Sequence, residues 1–124
     1  MIAATVLLVF EEHEDFAAYA SALCALGYRI LVRSSADEAI QDLENEDLSA
    51  VIVSQGTHAF EGRRVLERSL QLHPHVPVLV IARVLDVQCY LEAMDLGASD
   101  YLERPDPHDM LWVLDTEMRR TAAN

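Results

Sequence analysis

The sequence predicts a single α/β domain of three layers, in which a five-stranded parallel sheet lies between helices on both faces. The chain has 124 residues, a length typical of one domain, and 52% of them are hydrophobic, which is enough for a core. Short apolar runs alternate five times with segments of helical periodicity. Strict alternation of this kind favours parallel strands joined by right-handed crossovers, so we expect residues 1–124 to form one domain.

The first half of the chain contains two strand–helix units. Residues 5–10 form a continuous apolar run, typical of a strand buried on both faces. The helix after it is predicted to end at Gly27, because glycine adopts positive φ at little cost. A second strand is predicted over residues 29–32. Ser35 and Glu38 then have the spacing of a capping box, in which each side chain bonds the backbone of the other residue.

The third and fourth strands are predicted at residues 50–53 and 76–82, on either side of a helix over residues 63–72. Asp86 is positioned to cap the fourth helix, and Gly97 is positioned to end it. The pattern predicts that one apolar face of this helix points to the core, formed by Val87, Tyr90, Leu91 and Met94.

The last unit begins with a fifth strand over residues 99–102. Asp106 followed by Pro107 indicates a helix start, because proline at the first helical position loses no hydrogen bond. The buried stripe predicted for this helix consists of Leu111, Leu114 and Met118.

Composition excludes several classes of function. Twenty-one acidic residues against nine basic ones give a net charge of −12, which disfavours binding to nucleic acids and to anionic membranes. Cys24 and Cys89 lie far apart without metal-ligand spacing, so we expect reduced, small hydrophobic residues. The sequence contains no apolar run long enough to span a bilayer and no targeting segment, which predicts a cytoplasmic protein.

Several local motifs accompany this order of elements. Residues 96–105 read Leu-Gly-Ala-Ser-Asp-Tyr-Leu-Glu-Arg-Pro, the acids Glu11 and Glu12 follow the first strand, and Gly62 lies eight residues after Ser54. These features resemble the receiver domains of two-component response regulators. That family has a Gly-Ala-x-x-Tyr-Leu-x-Lys-Pro segment, acidic residues after the first strand, and a glycine eight residues after its phospho-accepting aspartate.

The resemblance implies a flavodoxin-like fold with strand order 2-1-3-4-5. It also implies a role in two-component or phosphorelay-type signal transduction. The family's active cluster lies at the carboxyl edge of the sheet, where parallel α/β folds place their functional groups.

This sequence departs from the family at most positions of that cluster. The phospho-acceptor position holds Ser54, the first acidic position holds Phe10, the hydroxyl switch position holds Ile81, and Arg104 replaces lysine. Only Tyr101, at the aromatic switch position, keeps the family's residue type. We therefore expect an atypical receiver domain that is not phosphorylated on aspartate, has no catalytic residues and is not an enzyme.

A second hypothesis is a small enzyme or ligand-binding domain that uses Ser54 and Glu11 at the same edge. A serine hydroxyl is a weak nucleophile unless a base activates it, and His58 is the nearest histidine in sequence. A Ser54–His58 pair is conceivable, but no orienting acid has the expected spacing, so a strand end and a surface loop are the favoured interpretation. Phe10 and Ile81 are expected to close the space that a ligand would need.

No cofactor and no metal are predicted. Magnesium prefers carboxylate oxygens, and here Glu11 and Glu12 are the only weak candidates. We hypothesise that Arg104 pairs with one of them in place of a metal, the alternative being hydrated side chains. His73 and His75 lack a third ligand nearby in sequence and are interpreted as loop surface.

The expected partners are proteins. The resemblance implies a sensor kinase or an effector domain, and it places a common partner or dimer surface on the fourth helix, fifth strand and fifth helix. Tyr90, Tyr101 and Trp112 are the candidate residues for an apolar patch there, and a homodimer through this face is one option. Alternatively, Trp112 covers the edge of its own core.

Overall fold

The computed structural model describes residues 4–10 and 13–122, and within these ranges it contains the five strands and five helices that the sequence predicts. In chain order they are β1 (Thr5–Val9), α1 (His13–Ala25), β2 (Arg29–Arg33), α2 (Ala36–Asn45), β3 (Ala50–Ser54), α3 (Arg63–Leu72), β4 (Val78–Ala82), α4 (Val87–Leu96), β5 (Asp100–Glu103) and α5 (Pro107–Ala122). All four neighbouring strand pairs are parallel, in the order β2-β1-β3-β4-β5. The expected α/β sandwich and its strand order are therefore confirmed.

The central strands β1, β3 and β4 send alternate side chains to opposite faces of the sheet. Leu7 and Val9 of β1 belong to a core that also contains residues of α2, α3 and α4. Val6 and Leu8 belong to a second core, with residues of α1 and α5. Both faces are covered, which explains why these strands read as continuous apolar runs and not as alternating ones. No helix among the described residues is long and apolar enough to cross a membrane.

The predicted helix caps are present. The Ser35 hydroxyl accepts a hydrogen bond from the backbone N–H of Glu38 at 3.2 Å, but the Glu38 carboxylate bonds the Ser35 hydroxyl and not its N–H. The Asp86 carboxylate caps α4 by accepting from the Cys89 N–H at 3.0 Å. Gly97 ends that helix with a φ of +117°, in the left-handed region where glycine is favoured.

The predicted inward face of α4 is wrong. The residues on its solvent side are Val87, Tyr90, Leu91 and Met94, with Val87 63% and Leu91 53% exposed. The helix is instead buried through Cys89 and Ala93, small residues that let it lie close to the sheet. Periodicity could not distinguish the two faces, because both are apolar. The core also contains Met110 of α5, which the predicted stripe omitted.

Candidate functional site

The carboxyl edge of the sheet carries the residues that sequence reasoning singled out. A cavity of about 190 Å³ lies at this edge. Its described lining residues are Phe10, Tyr19, Ser54, Ile81, Ala82, Arg83 and Arg104. Four of the positions predicted to correspond to the receiver site are thus brought together, from the ends of β1, β3, β4 and β5. The expectation that Phe10 and Ile81 close this space is wrong, because their side chains form walls around a void.

Ser54 is the last residue of β3 and is half-buried. Its Oγ accepts a hydrogen bond from the Gly56 N–H at 3.2 Å, which holds the hydroxyl at the start of the β3–α3 loop. The glycine eight residues later is required by close packing: a Cβ on Gly62 would lie 2.1 Å from the Ser54 carbonyl oxygen. The spacing noted in the sequence therefore reflects contact between the first residues of α3 and the end of β3.

The β3–α3 loop is held by short-range bonds. Gly56 has a φ of +81° and Phe60 a φ of +55°, a strained value for a residue with a side chain, and the Phe60 ring is buried. The Glu61 carboxylate accepts bonds from both the hydroxyl and the N–H of Thr57. These bonds favour the ionised carboxylate and lower the pKa of Glu61. These bonds within the loop hold it in a defined conformation.

Gln55 is a site residue that sequence reasoning missed. Its side chain is 3% exposed, and its Oε1 accepts a hydrogen bond from the Tyr101 hydroxyl. The same hydroxyl accepts from the Asp86 N–H at 3.2 Å, and the Tyr101 ring packs edge-on against Tyr90 at 5.5 Å. Burial raises the pKa of the Tyr101 phenol. One aromatic side chain therefore connects the ends of β3 and β5 with the first turn of α4.

His58 does not pair with Ser54 in the structure. Its Nδ1 bonds the Asp86 carboxylate, while the imidazole remains largely exposed. The bond from His58, together with the cap to the Cys89 N–H, lowers the pKa of Asp86. The Cys89 thiol donates to the His58 carbonyl oxygen at 3.6 Å. Burial raises the pKa of this thiol to about 11. The histidine links two loops, and no Ser–His nucleophile is assembled.

Phe10 and Arg104 occupy the positions where the family resemblance leads one to expect a carboxylate and a lysine. Phe10 is 2% exposed, and its ring lies 5.9 Å from that of Tyr19. Arg104 is exposed, lines the cavity and has a φ of +38°. Glu11 and Glu12 lie outside the described residues, so the proposed pairing of Arg104 with either of them remains a prediction.

The described donors at this edge do not fit magnesium. Mg²⁺ needs an octahedron of oxygens that usually includes one or two carboxylates. Among the lining residues of the cavity only Ser54 and Tyr19 offer side-chain oxygens, and neither is a carboxylate. No group of three potential metal ligands occurs among the side chains that the structure describes, which lie in residues 4–10 and 16–121. His73 bonds the Leu43 carbonyl oxygen at 2.7 Å, which anchors the chain after α3 to α2.

The candidate partner surface is only partly as expected. Trp112 of α5 is 68% exposed and Tyr90 of α4 is 39% exposed. Tyr101 is buried at 7% exposure, because its hydroxyl points to Gln55, so it supports this face from beneath and adds little exposed area. Of the two cysteines, Cys24 is exposed and Cys89 is buried.

Comparison with known proteins identifies relatives of this chain. The response regulator FleR of Pseudomonas aeruginosa is 33% identical over 104 residues, covering 84% of this chain and 22% of FleR. An NtrX-like response regulator of Rickettsia bellii is 30% identical over 112 residues, covering 88% of this chain and 23% of that protein. The chain thus spans less than a quarter of the length of these curated relatives.

The fold has close counterparts among solved structures. The crystal structure of a CheY-like response regulator receiver domain protein from Methanospirillum hungatei superposes with a TM-score of 0.90 at 19% identity, with 98% of each chain covered. A profile of the response regulator receiver domain matches residues 6–115. The strand order and these matches show that the chain belongs to the response regulator receiver domain family, whose members act in two-component signalling.

Proposed function

We propose that this receiver domain acts in two-component or phosphorelay-type signalling as a protein-interaction module, without phosphorylation of an aspartate at its active edge. The observation that carries the proposal is Ser54 at the end of β3, where the family resemblance places the phospho-acceptor. Acyl phosphate formation needs a carboxylate nucleophile, and a serine hydroxyl is neutral and weakly nucleophilic without a base. The nearby imidazole of His58 is engaged with Asp86.

The residues around Ser54 support the same interpretation. Phe10 and Ile81 are both buried and apolar, so neither offers a ligand for a metal or a hydrogen bond to a phosphoryl oxygen. Arg104 keeps a positive charge at the edge, but its planar guanidinium does not reproduce the geometry of a lysine ammonium. Each change removes a group that the phosphotransfer reaction of the family would use.

The proposed interaction surface is an apolar strip formed by the β4–α4 loop and the solvent side of α4, called the α4 strip below. Its members are Val84, Leu85, Val87, Tyr90, Leu91 and Met94, each at least 36% exposed. Contiguous exposed apolar residues of this kind mark interaction sites more often than scattered single ones. We propose a sensor kinase or an effector domain as the partner class, and a homodimer through α4, β5 and α5 as the second arrangement.

Incubation with acetyl phosphate and Mg²⁺, followed by intact mass measurement, tests the lack of phosphorylation. We expect no stable adduct of about 80 Da, because the carboxylate nucleophile is absent from this position. A receiver domain that carries aspartate at the acceptor position serves as the positive control. A stoichiometric adduct on this protein that disappears in a Ser54→Ala variant would refute the proposal.

Sedimentation measurements test the interaction surface. If the α4 strip forms a homodimer, Leu91→Asp abolishes the dimer, because it places a charge in the buried centre of the contact. Arg29→Asp, an exposed substitution on the edge strand β2, is the matched control and leaves association unchanged. A dimer that survives Leu91→Asp would exclude the α4 strip as its interface.

A further inference from the structure

We propose that the cavity beside Ser54 binds a small organic anion that combines one carboxylate with an aromatic or branched apolar body. This inference concerns a ligand and goes beyond the proposed role in protein interaction. It does not depend on that role, since a domain can lack phosphotransfer whether or not the cavity is a binding site.

The size and walls of the cavity suit an apolar body. The void of about 190 Å³ is bounded by Phe10, Ile81 and the ring of Tyr19. An apolar cavity of about 150 Å³ is large enough to take up benzene, so this one can hold a six-membered ring with a small substituent. The ring of Phe10 is itself buried against Tyr19, so the apolar wall does not have to form when a ligand enters.

The rim of the cavity supplies positive charge. Arg104 lines it, and none of the described lining residues is acidic. Most other arginines in the described part of the chain are paired with carboxylates, such as Arg33 with Asp42 at 2.6 Å. Arg104 forms no ion pair with any described side chain. Among the described residues, no carboxylate therefore competes with an external anion for the Arg104 guanidinium.

The backbone and Ser54 point to the same ligand class. Arg104 is held at a φ of +38°, and strained residues of this kind persist where the surrounding structure and function require them. The Ser54 oxygen accepts from the Gly56 N–H, which leaves its own proton free to donate. A guanidinium fork and a hydroxyl donor match a carboxylate, which accepts two or more hydrogen bonds.

An NMR titration of the ¹⁵N-labelled chain tests the proposal with benzoate as the probe. We expect saturable shifts at the amides of Ser54, Ala82 and Arg104, with a Kd of about 1 mM, because so small a ligand makes few contacts. Benzyl alcohol and benzylamine have the same ring with a neutral and a positive substituent. The expected order of affinity is benzoate, then benzyl alcohol, then benzylamine.

Two variants localise the charge recognition. Arg104→Gln should weaken benzoate binding about tenfold or more, the usual effect of losing a charge-assisted hydrogen bond, while binding of benzyl alcohol stays unchanged. Arg29→Gln is the matched control, because Arg29 is exposed at the start of β2, at the opposite edge of the sheet, and should have no effect. Dispersed spectra verify that both variants are folded.

Three results would overturn the proposal. The first is the absence of saturable shifts at the cavity amides with benzoate. The second is tighter binding of benzylamine than of benzoate, which would mean that negative charge dominates the electrostatic field of the cavity. The third is unchanged benzoate affinity in Arg104→Gln.

Discussion

The hydrogen bond between Tyr101 and Gln55 gives a sharp prediction about what holds the functional edge together. Both side chains are nearly inaccessible to water, at 7% and 3% exposure. Tyr101→Phe removes one hydroxyl and leaves the Gln55 oxygen without its donor. A buried polar atom that loses its partner costs about 1–3 kcal/mol, so the free energy of unfolding should fall by about that amount. Tyr101→Phe also removes the acceptor of the Asp86 N–H, but this loss costs less, because Asp86 is partly exposed and water can take the place of the hydroxyl.

A double-mutant cycle separates the bond from packing. Gln55→Leu should also destabilise the domain by about 1–3 kcal/mol, because it leaves the Tyr101 hydroxyl proton buried without an acceptor. Replacing both partners by apolar groups of similar shape removes the unsatisfied atoms. The double variant should therefore be less destabilised than the sum of the singles, with a coupling energy of about 1 kcal/mol.

Urea unfolding followed by far-ultraviolet circular dichroism measures these differences, since the linear dependence on denaturant yields the free energy of each variant. Tyr28→Phe is the matched control. Within the described part of the chain, the Tyr28 hydroxyl bonds only the Met118 sulfur, at 4.0 Å, which is a weak acceptor, so its removal should cost about 0.5 kcal/mol or less. Equal losses for Tyr101→Phe and Tyr28→Phe, or strictly additive losses in the cycle, would refute the reasoning.

Three further predictions follow from single contacts. Gly62→Ala should destabilise the domain by about 2–4 kcal/mol in urea unfolding, because the added Cβ would lie 2.1 Å from a backbone carbonyl oxygen. Native alkylation at mildly alkaline pH should label Cys24 and spare Cys89, whose thiol is buried with its pKa raised to about 11; peptide mass mapping distinguishes them. The bond from His58 and the helix cap lower the pKa of Asp86, so the unfolded state binds its proton more readily. The ionised Asp86 carboxylate therefore stabilises the fold above the pKa that this group has in the unfolded chain, and the stabilisation is lost as the pH falls through its pKa in the folded protein. The Asp86→Asn variant should not show this loss of stability during acid unfolding.

The controls for these predictions are also in the chain. Gly27→Ala meets no atom within 4 Å, so it should cost only the strain of a positive φ, about 1 kcal/mol. If Gly62→Ala were no worse than Gly27→Ala, the close approach would not matter. Equal labelling of both thiols would contradict the burial argument. If Asp86→Asn unfolded in acid with the same pH dependence as the unmodified protein, the ionised Asp86 carboxylate would not have the stabilising role inferred for it.

Much of the architecture could be read from local patterns. Apolar runs located the strands within one or two residues; β4 starts at Val78, after Pro77, which has no N–H to donate to the sheet. The caps at Ser35 and Asp86 and the glycine at Gly97 were also predictable. These features depend on interactions between residues that are close together in the sequence, so a short segment is enough to predict each of them.

The site was predictable only in part. The family motifs identified Phe10, Ser54, Ile81 and Arg104, and the structure places all four around one cavity. The sequence could not show that the cavity remains open, because the space left between side chains depends on the positions of all the surrounding elements. Gln55 had no local signal, since a glutamine at a strand end is usually exposed.

By itself, the sequence determined the order of elements, the parallel sheet and the serine at the end of β3, because each depends on residue identity and short-range periodicity. Only the tertiary structure decided which apolar face of α4 is buried and that Gln55 bonds Tyr101, a residue 46 positions away. The physical reason is the same in both cases: burial and hydrogen bonding between distant segments depend on how the layers pack, and a side chain's own neighbours in sequence do not encode that packing.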